Sequence, residues 1–181
     1  MKRETAYLRI LDRMRMLCSR REYCSSDIRG KIMASLAKSC PDIPENEIES
    51  MAAGAMSVLI ADKYVDDSRY AAAYARDKSS ISGWGPLKIR RALALKGLGR
   101  ETIEEALAAA DTEAASARME KVLGTKLRSL ISAGNNYRQK PETEGKSAEF
   151  AIRMKMLRFA ASRGYGYEEA ASVIERLMSE L

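Results

Sequence analysis

Ser82-Gly83-Trp84-Gly85-Pro86-Leu87-Lys88-Ile89 is the stretch from which the architecture of this chain can be read. Gly83 and Gly85 can take backbone conformations that other residues resist. Pro86 suits a first helical position, where its missing N–H would have no partner anyway. A turn holding a tryptophan therefore opens a helix. The apolar residues five and nine positions after Trp84, Ile89 and Leu93, lie one helical turn apart on one face. The same arrangement occurs twice more. Arg21-Glu22-Tyr23-Cys24-Ser25-Ser26-Asp27-Ile28 continues to Ile32, and Arg163-Gly164-Tyr165-Gly166-Tyr167-Glu168-Glu169-Ala170 continues to Ile174. Intervals of about 60 and about 80 residues between the aromatics describe a divergent repeat with an insertion.

The helix from Pro86 is expected to stop at Lys96-Gly97, a basic residue in the last turn followed by a glycine that can leave the helix. A third helix then carries Ile103, Ala106, Leu107 and Ala110 on its apolar face. In the first repeat, Ile43-Pro44 leads into a helix with Ile48, Met51, Ala52, Ala55, Val58 and Leu59. Each unit is thus three helices, since two alone would leave an apolar stripe uncovered. Asp67 or Ser68 is the expected cap of a helix starting near Arg69. A further helix runs from Asp111 to about Ile131 with Met119, Val122, Leu123, Leu127 and Leu130. Ala133 to Gly145 reads as a polar loop. The third unit starts near Lys146 and ends after its second helix, at Leu181. The expectation is an all-α protein of tandem three-helix repeats in an elongated, curved array. Its units are 1–62, 63–111 and 112–181, the last with a polar loop near 133–146.

Composition agrees with helix and narrows the function. Of 181 residues, 46% are hydrophobic and 31% charged, enough apolar surface for a core under a solvated exterior, while only 6% are aromatic. Ala, Leu, Arg, Lys, Glu and Met dominate the visible runs, and these lose little rotamer freedom in a helix. No apolar run approaches the ~18 residues of a membrane span. The start, Met1-Lys2-Arg3-Glu4, is charged and lacks a signal core. A cytoplasmic protein with no membrane contact is expected. Cys18, Cys24 and Cys40 form no CxxC pair, and histidine is absent. They read as buried free thiols, with no metal and no cofactor expected. Without histidine the commonest general base is missing and Ser/His or Cys/His pairs are impossible. Asp66 and Asp67 are explained by a helix start rather than an acid–base pair, and Gly83 to Lys88 lacks phosphate-loop spacing. No enzymatic centre is expected.

Charge points to binding. Lys plus Arg is 31 against 25 for Asp plus Glu, a formal net charge of +6. The positives cluster around Trp84: Lys88, Arg90, Arg91 and Lys96 follow it on one helix, and Arg69, Arg76 and Lys78 precede it on another. A solvated helix face would explain such a cluster, and packing between helices would explain the indole. A rigid aromatic beside Arg and Lys in a glycine turn is also typical of an interface anchor. Arg69, Tyr70, Arg76, Trp84, Lys88, Arg90, Arg91 and Lys96 are the candidate contact surface. Asp67, as a cap, and Gly83, Gly85, Pro86 and Gly97, as shape-setting residues, are the candidate structural positions.

The segments Asp66-Asp67-Ser68-Arg69-Tyr70-Ala71-Ala72-Ala73-Tyr74-Ala75-Arg76, Gly83 to Leu93 and Lys96-Gly97-Leu98 resemble the core signature of the RecX family, over about a fifth of the chain. Arg21-Glu22-Tyr23 and Arg163-Gly164-Tyr165 resemble the family's outer repeats more loosely. Where the family usually has an acidic residue this chain has Ala92, and the 133–145 loop is longer than the family's. The resemblance implies a bacterial regulatory protein of tandem three-helix repeats that acts on RecA, the ATP-driven recombinase that polymerises on single-stranded DNA. It implies binding in the filament groove, bridging of neighbouring subunits and limited filament growth. The expected partners are the RecA filament and single-stranded DNA, the latter contacted in a salt-dependent, sequence-independent way. A monomer is the expected state.

Two rival classes are readable from the same residues. A helix-turn-helix transcriptional regulator would place base-contacting Arg, Asn or Gln at the start of its recognition helix; here that start is Gly-Pro-Leu-Lys. A helical adaptor for another protein would carry its basicity incidentally, and charge reversal at Lys88 and Arg91 would leave its binding unchanged.

Overall fold

The computed structural model describes residues 2–109, 112–135 and 142–180. Among them nine α-helices and one π-helical turn occur, and no strand. The helices are α1 (Lys2–Cys18), α2 (Ser25–Ser39), α3 (Glu45–Ala61), α4 (Asp67–Ser80), α5 (Pro86–Leu95), α6 (Arg100–Ala108), α7 (Thr112–Leu130), α8 (Glu142–Arg163) and α9 (Tyr167–Ser179). The fold is all-α and made of three-helix repeats, as the pattern predicts. The chain forms two compact units, Met1–Tyr74 with Leu93–Ala106, and Ala75–Ala92 with Leu107–Leu181.

In the first unit α1, α2 and α3 close around one core. Ile10, Leu11 and Met14 of α1 meet Ile28, Ile32 and Leu36 of α2 and Ile48, Ala52, Ala55, Met56 and Leu59 of α3. Positions 28, 32 and 36 recur every fourth residue, so α2 turns a single stripe inward. All three are fully buried, each worth roughly 1.5–3 kcal/mol against exposure. Ile43 and Val65, in the connections flanking α3, complete the cluster. Met51 and Val58, expected on the apolar face of α3, pack against its edge.

The helix stops have a common chemistry. Leu98 N–H donates to the Leu93 carbonyl and Gly97 N–H to that of Ala94, with Gly97 at φ +81°. This left-handed cap satisfies the last carbonyls of α5. Asp67 departs from expectation. It is the first residue of α4, and that helix is capped by Asp66, whose Oδ1 accepts the Arg69 N–H at 3.0 Å. Asp67 Oδ1 instead accepts the N–H of Ser25 at the start of α2, 2.8 Å away. It therefore serves an orphan donor of another helix.

In the second unit α7, α8 and α9 share a core of Met119, Leu123, Leu127, Ile152, Met156, Ala160, Ala170, Val173, Ile174 and Met178. Val122 and Leu130 pack beside it. The expected loop after α7 is shorter than its polarity suggested. Ile131–Asn135 continues α7 as a π-helical turn, and α8 begins at Glu142 rather than near Lys146. The remainder of that expected loop, 136–141, lies outside the described residues, as do Ala110 and Asp111.

Candidate interaction surface

Trp84 stands half-buried in the turn between α4 and α5. Its backbone N–H donates to the Lys78 carbonyl at 3.0 Å, which closes the end of α4. The ammonium groups of Lys78 and Lys88 lie 5.0 and 4.6 Å from the indole centroid, within range of attraction to its π face. Lys78 occupies the last turn of α4, where the helix dipole favours a cation.

The indole is held by a crossing of two backbones. Gly85 N–H donates to the Arg163 carbonyl at 2.8 Å, and Leu87 N–H to the Gly164 carbonyl at 3.1 Å. Lys88 Nζ donates to the Ser162 carbonyl at 3.1 Å, the Arg163 guanidinium to the Ser82 carbonyl at 2.9 Å, and the Tyr165 hydroxyl to the Gly83 carbonyl at 3.0 Å. A Cβ on Gly85 would overlap the Gly164 carbonyl, and one on Gly164 would overlap the backbone of Lys88. The second and third of the repeated aromatic turns are thus locked together, which fixes where Trp84 and Lys88 point. Burial pushes the Tyr165 phenol up, against the opposing charges of Arg163 and Arg118.

Trp84 also lines a cleft of about 530 Å³ with Pro86, Ile89, Met119, Tyr165 and Val173, and with the charged Arg118, Glu169 and Arg176. Arg176 is held by Glu120 through two 2.9 Å hydrogen bonds. Arg118 Nε is buried with no hydrogen-bond partner among the described residues. A buried donor left unpaired costs about 1–3 kcal/mol.

The expected contact residues divide between the two units. Arg76, Trp84, Lys88, Arg90 and Arg91 belong to the second, with Arg76 and Arg91 exposed and Arg90 half-buried. In the first unit, Arg69 Nε donates to Glu22 at 2.6 Å and its terminal nitrogen to the Lys63 carbonyl at 3.0 Å. Lys96 Nζ donates to Asp27 at 2.7 Å and lies 5.8 Å from the Tyr70 ring. That hydrogen bond raises the Lys96 ammonium well above the ordinary lysine range. Burial pushes the Asp27 carboxyl up, but the hydrogen bonds with Lys96 and Cys24 and the charges of Lys96 and Lys31 together outweigh it and leave Asp27 below the usual range. Tyr70, expected on the contact surface, is buried, with 8% of its surface exposed. Its ring packs 5.8 Å from that of Tyr74, an inward role that its place beside Arg69 concealed.

Of the structural positions, Pro86 opens α5 and Gly83 takes φ +61° in the turn before it. Cys24 is buried, and Cys18 and Cys40 are half-buried free thiols. Among the described residues no cluster of three His, Cys, Asp or Glu is placed to hold a metal, and no helix is long and apolar enough to cross a membrane. Sequence reasoning missed the supporting groups Arg118, Arg163 and Tyr165. The last two stand in the third repeated turn, so their likeness to the second turn was the available signal. Arg118 had none.

Fold and site define a protein of three-helix repeats with a cation-flanked indole between two helices. The family model described as the second three-helix domain of RecX matches residues 66–107, which span that indole. Regulatory protein RecX of Shigella dysenteriae serotype 1 is 28% identical over 175 residues, 94% of this chain and 93% of that one. Its counterpart from Escherichia coli O7:K1 is 27% identical over the same extent. Among solved structures, the crystal structure of a regulatory protein RecX matches with a TM-score of 0.65 at 24% identity, covering 97% of this chain and 72% of that one. RecX from Lactobacillus salivarius matches with a TM-score of 0.66 at 19% identity, covering 97% and 99%. The chain is thus similar to regulatory RecX proteins along 94% of its length and shares the fold of the solved ones.

Proposed function

We propose that this protein binds RecA filaments on single-stranded DNA and modulates them, mainly by inhibiting recombinase and ATPase activity. The observation that carries this reading is the likeness to regulatory RecX proteins along 94% of the chain, together with the family match across the Trp84 segment. Binding is stoichiometric and makes no chemical change in the polymer. The contact surface is centred on Arg76, Trp84, Lys88, Arg90 and Arg91, with Arg69 and Lys96 contributing through the field of their unit. In its support, Arg76 and Arg91 are solvent-exposed cations, and exposed cations are free to displace counterions from a phosphate backbone.

The test is co-sedimentation with RecA filaments on single-stranded DNA across a salt series. Arg76→Glu and Arg91→Glu lie away from the buried core and are expected to leave the helical content intact. Each is expected to weaken binding several-fold. If the contact is to phosphate, each also reduces the slope of log affinity against log salt by about 0.7. Unchanged affinity in both variants would leave the adaptor reading ahead, and affinity governed by DNA sequence would favour the transcriptional regulator.

A further inference from the structure

The cleft beside Trp84 is built differently from the cationic surface around it. Its walls are mostly apolar, with Pro86, Ile89, Met119 and Val173 among them. At about 530 Å³ it falls within the ~300–1,000 Å³ of ligand sites, room for a bulky side chain and part of a backbone. The polar groups on its lining are not equivalent. Arg176 is already bridged to Glu120. Arg118 alone among the lining cations has a buried nitrogen with no hydrogen-bond partner in the described structure.

We propose that this cleft is a peptide-docking site for a partner segment in which a bulky apolar side chain stands next to a carboxylate. The apolar group fills the space under Trp84 and the carboxylate pairs with the Arg118 guanidinium. Charge complementarity selects this occupant. One unpaired arginine in an apolar cleft suits one carboxylate, and charge-assisted bonds of this kind are the strong ones. A nucleic-acid strand fits less well, because its phosphates recur along the strand and would meet Glu169, which also lines the cleft, whereas a peptide can set its one carboxylate on Arg118 and offer Glu169 an N–H. The site extends the filament-binding reading by adding a protein contact to a cationic face. It does not depend on which polymer that face grips.

Trp84 is the chain's single tryptophan, so its emission reports on the cleft without a label. The experiment titrates the full chain with a capped hexapeptide holding one phenylalanine between aspartates, its counterpart with lysines in place of the aspartates, and oligodeoxythymidylate. A saturable emission change with the aspartate peptide and none with the lysine peptide is expected. Arg118→Gln is expected to weaken the aspartate peptide about tenfold. Ser172→Phe, which plugs the cleft from an exposed position on its lining, is expected to do the same with helical content unchanged. It keeps the test valid if Arg118→Gln fails to fold. No saturable change at millimolar peptide, an equal response to both peptides, or Arg118-dependent competition by the oligonucleotide would each overturn the proposal. Because only the isolated chain and synthetic ligands are used, such a failure leaves filament binding standing.

Discussion

A methyl group on Gly85 would be driven into the carbonyl of Gly164, so Gly85→Ala forces the two locked turns apart. It is expected to cost about 3 kcal/mol, read as a lower denaturation midpoint. Gly30, inside α2, is the opposite case. Nothing lies within 4 Å of a Cβ added there, and Gly30→Ala is expected to stabilise by roughly 0.5–1 kcal/mol through helix propensity. Sequence patterning assigned Gly85 to a turn, but its real constraint is a backbone far along the chain, which no local pattern encodes. The same holds for Asp27 and Lys96, 69 residues apart. Asp27 is held below its ordinary range when folded, so its contribution is complete above the ordinary carboxylate value. It disappears as pH falls through the lower, folded one. Lys96 is raised, so its share persists up to the ordinary lysine range and is lost only as pH rises through the higher, folded value. Asp27→Asn is therefore expected to cost roughly 0.5–1 kcal/mol at neutral pH and to remove this part of the acid-side loss. Urea denaturation between about pH 3 and 7 checks it.

Helices were legible where an apolar stripe ran their whole length. The residues five and nine after each repeated aromatic, Ile28 and Ile32, Ile89 and Leu93, Ala170 and Ile174, are all buried, because a helix that opens at a fixed turn must turn those positions inward. Starts without a stripe were misread. The sequence Glu142-Thr143-Glu144-Gly145 carries nothing apolar, and among the residues of α8 whose burial is described the first buried one is Ile152. The polar first turns of that helix therefore looked like loop. The cap of α4 was displaced by one residue for a related reason: Asp66 and Asp67 are equally good caps, and only the partner Ser25, 42 residues away, decides between them. Asp66→Ala is expected to cost about 1 kcal/mol and to lower the midpoint of thermal unfolding. A loss within a few tenths of a kcal/mol would mean that the Asp66–Arg69 bond does not hold the helix start.

For the whole molecule, the helical class and its repeats were legible because period and turn chemistry repeat along the chain. The division into two compact units was not, since it cuts through α4 and α5 and depends on which distant residues meet. Candidate contacts chosen by nearness in sequence to Trp84 were consequently split. In the second unit Lys88 flanks the indole and Arg76 and Arg91 face solvent, whereas Arg69, Tyr70 and Lys96 have partners within the first. The proposed filament contact draws on the net charge of +6 joined to an anchored aromatic, a combination suited to a charged polymer. The direct measurement is ATP hydrolysis by RecA on single-stranded DNA, titrated with this protein from sub-stoichiometric to equimolar amounts. Hydrolysis is predicted to fall progressively across that range, and a rate unchanged at equimolar protein would contradict the account.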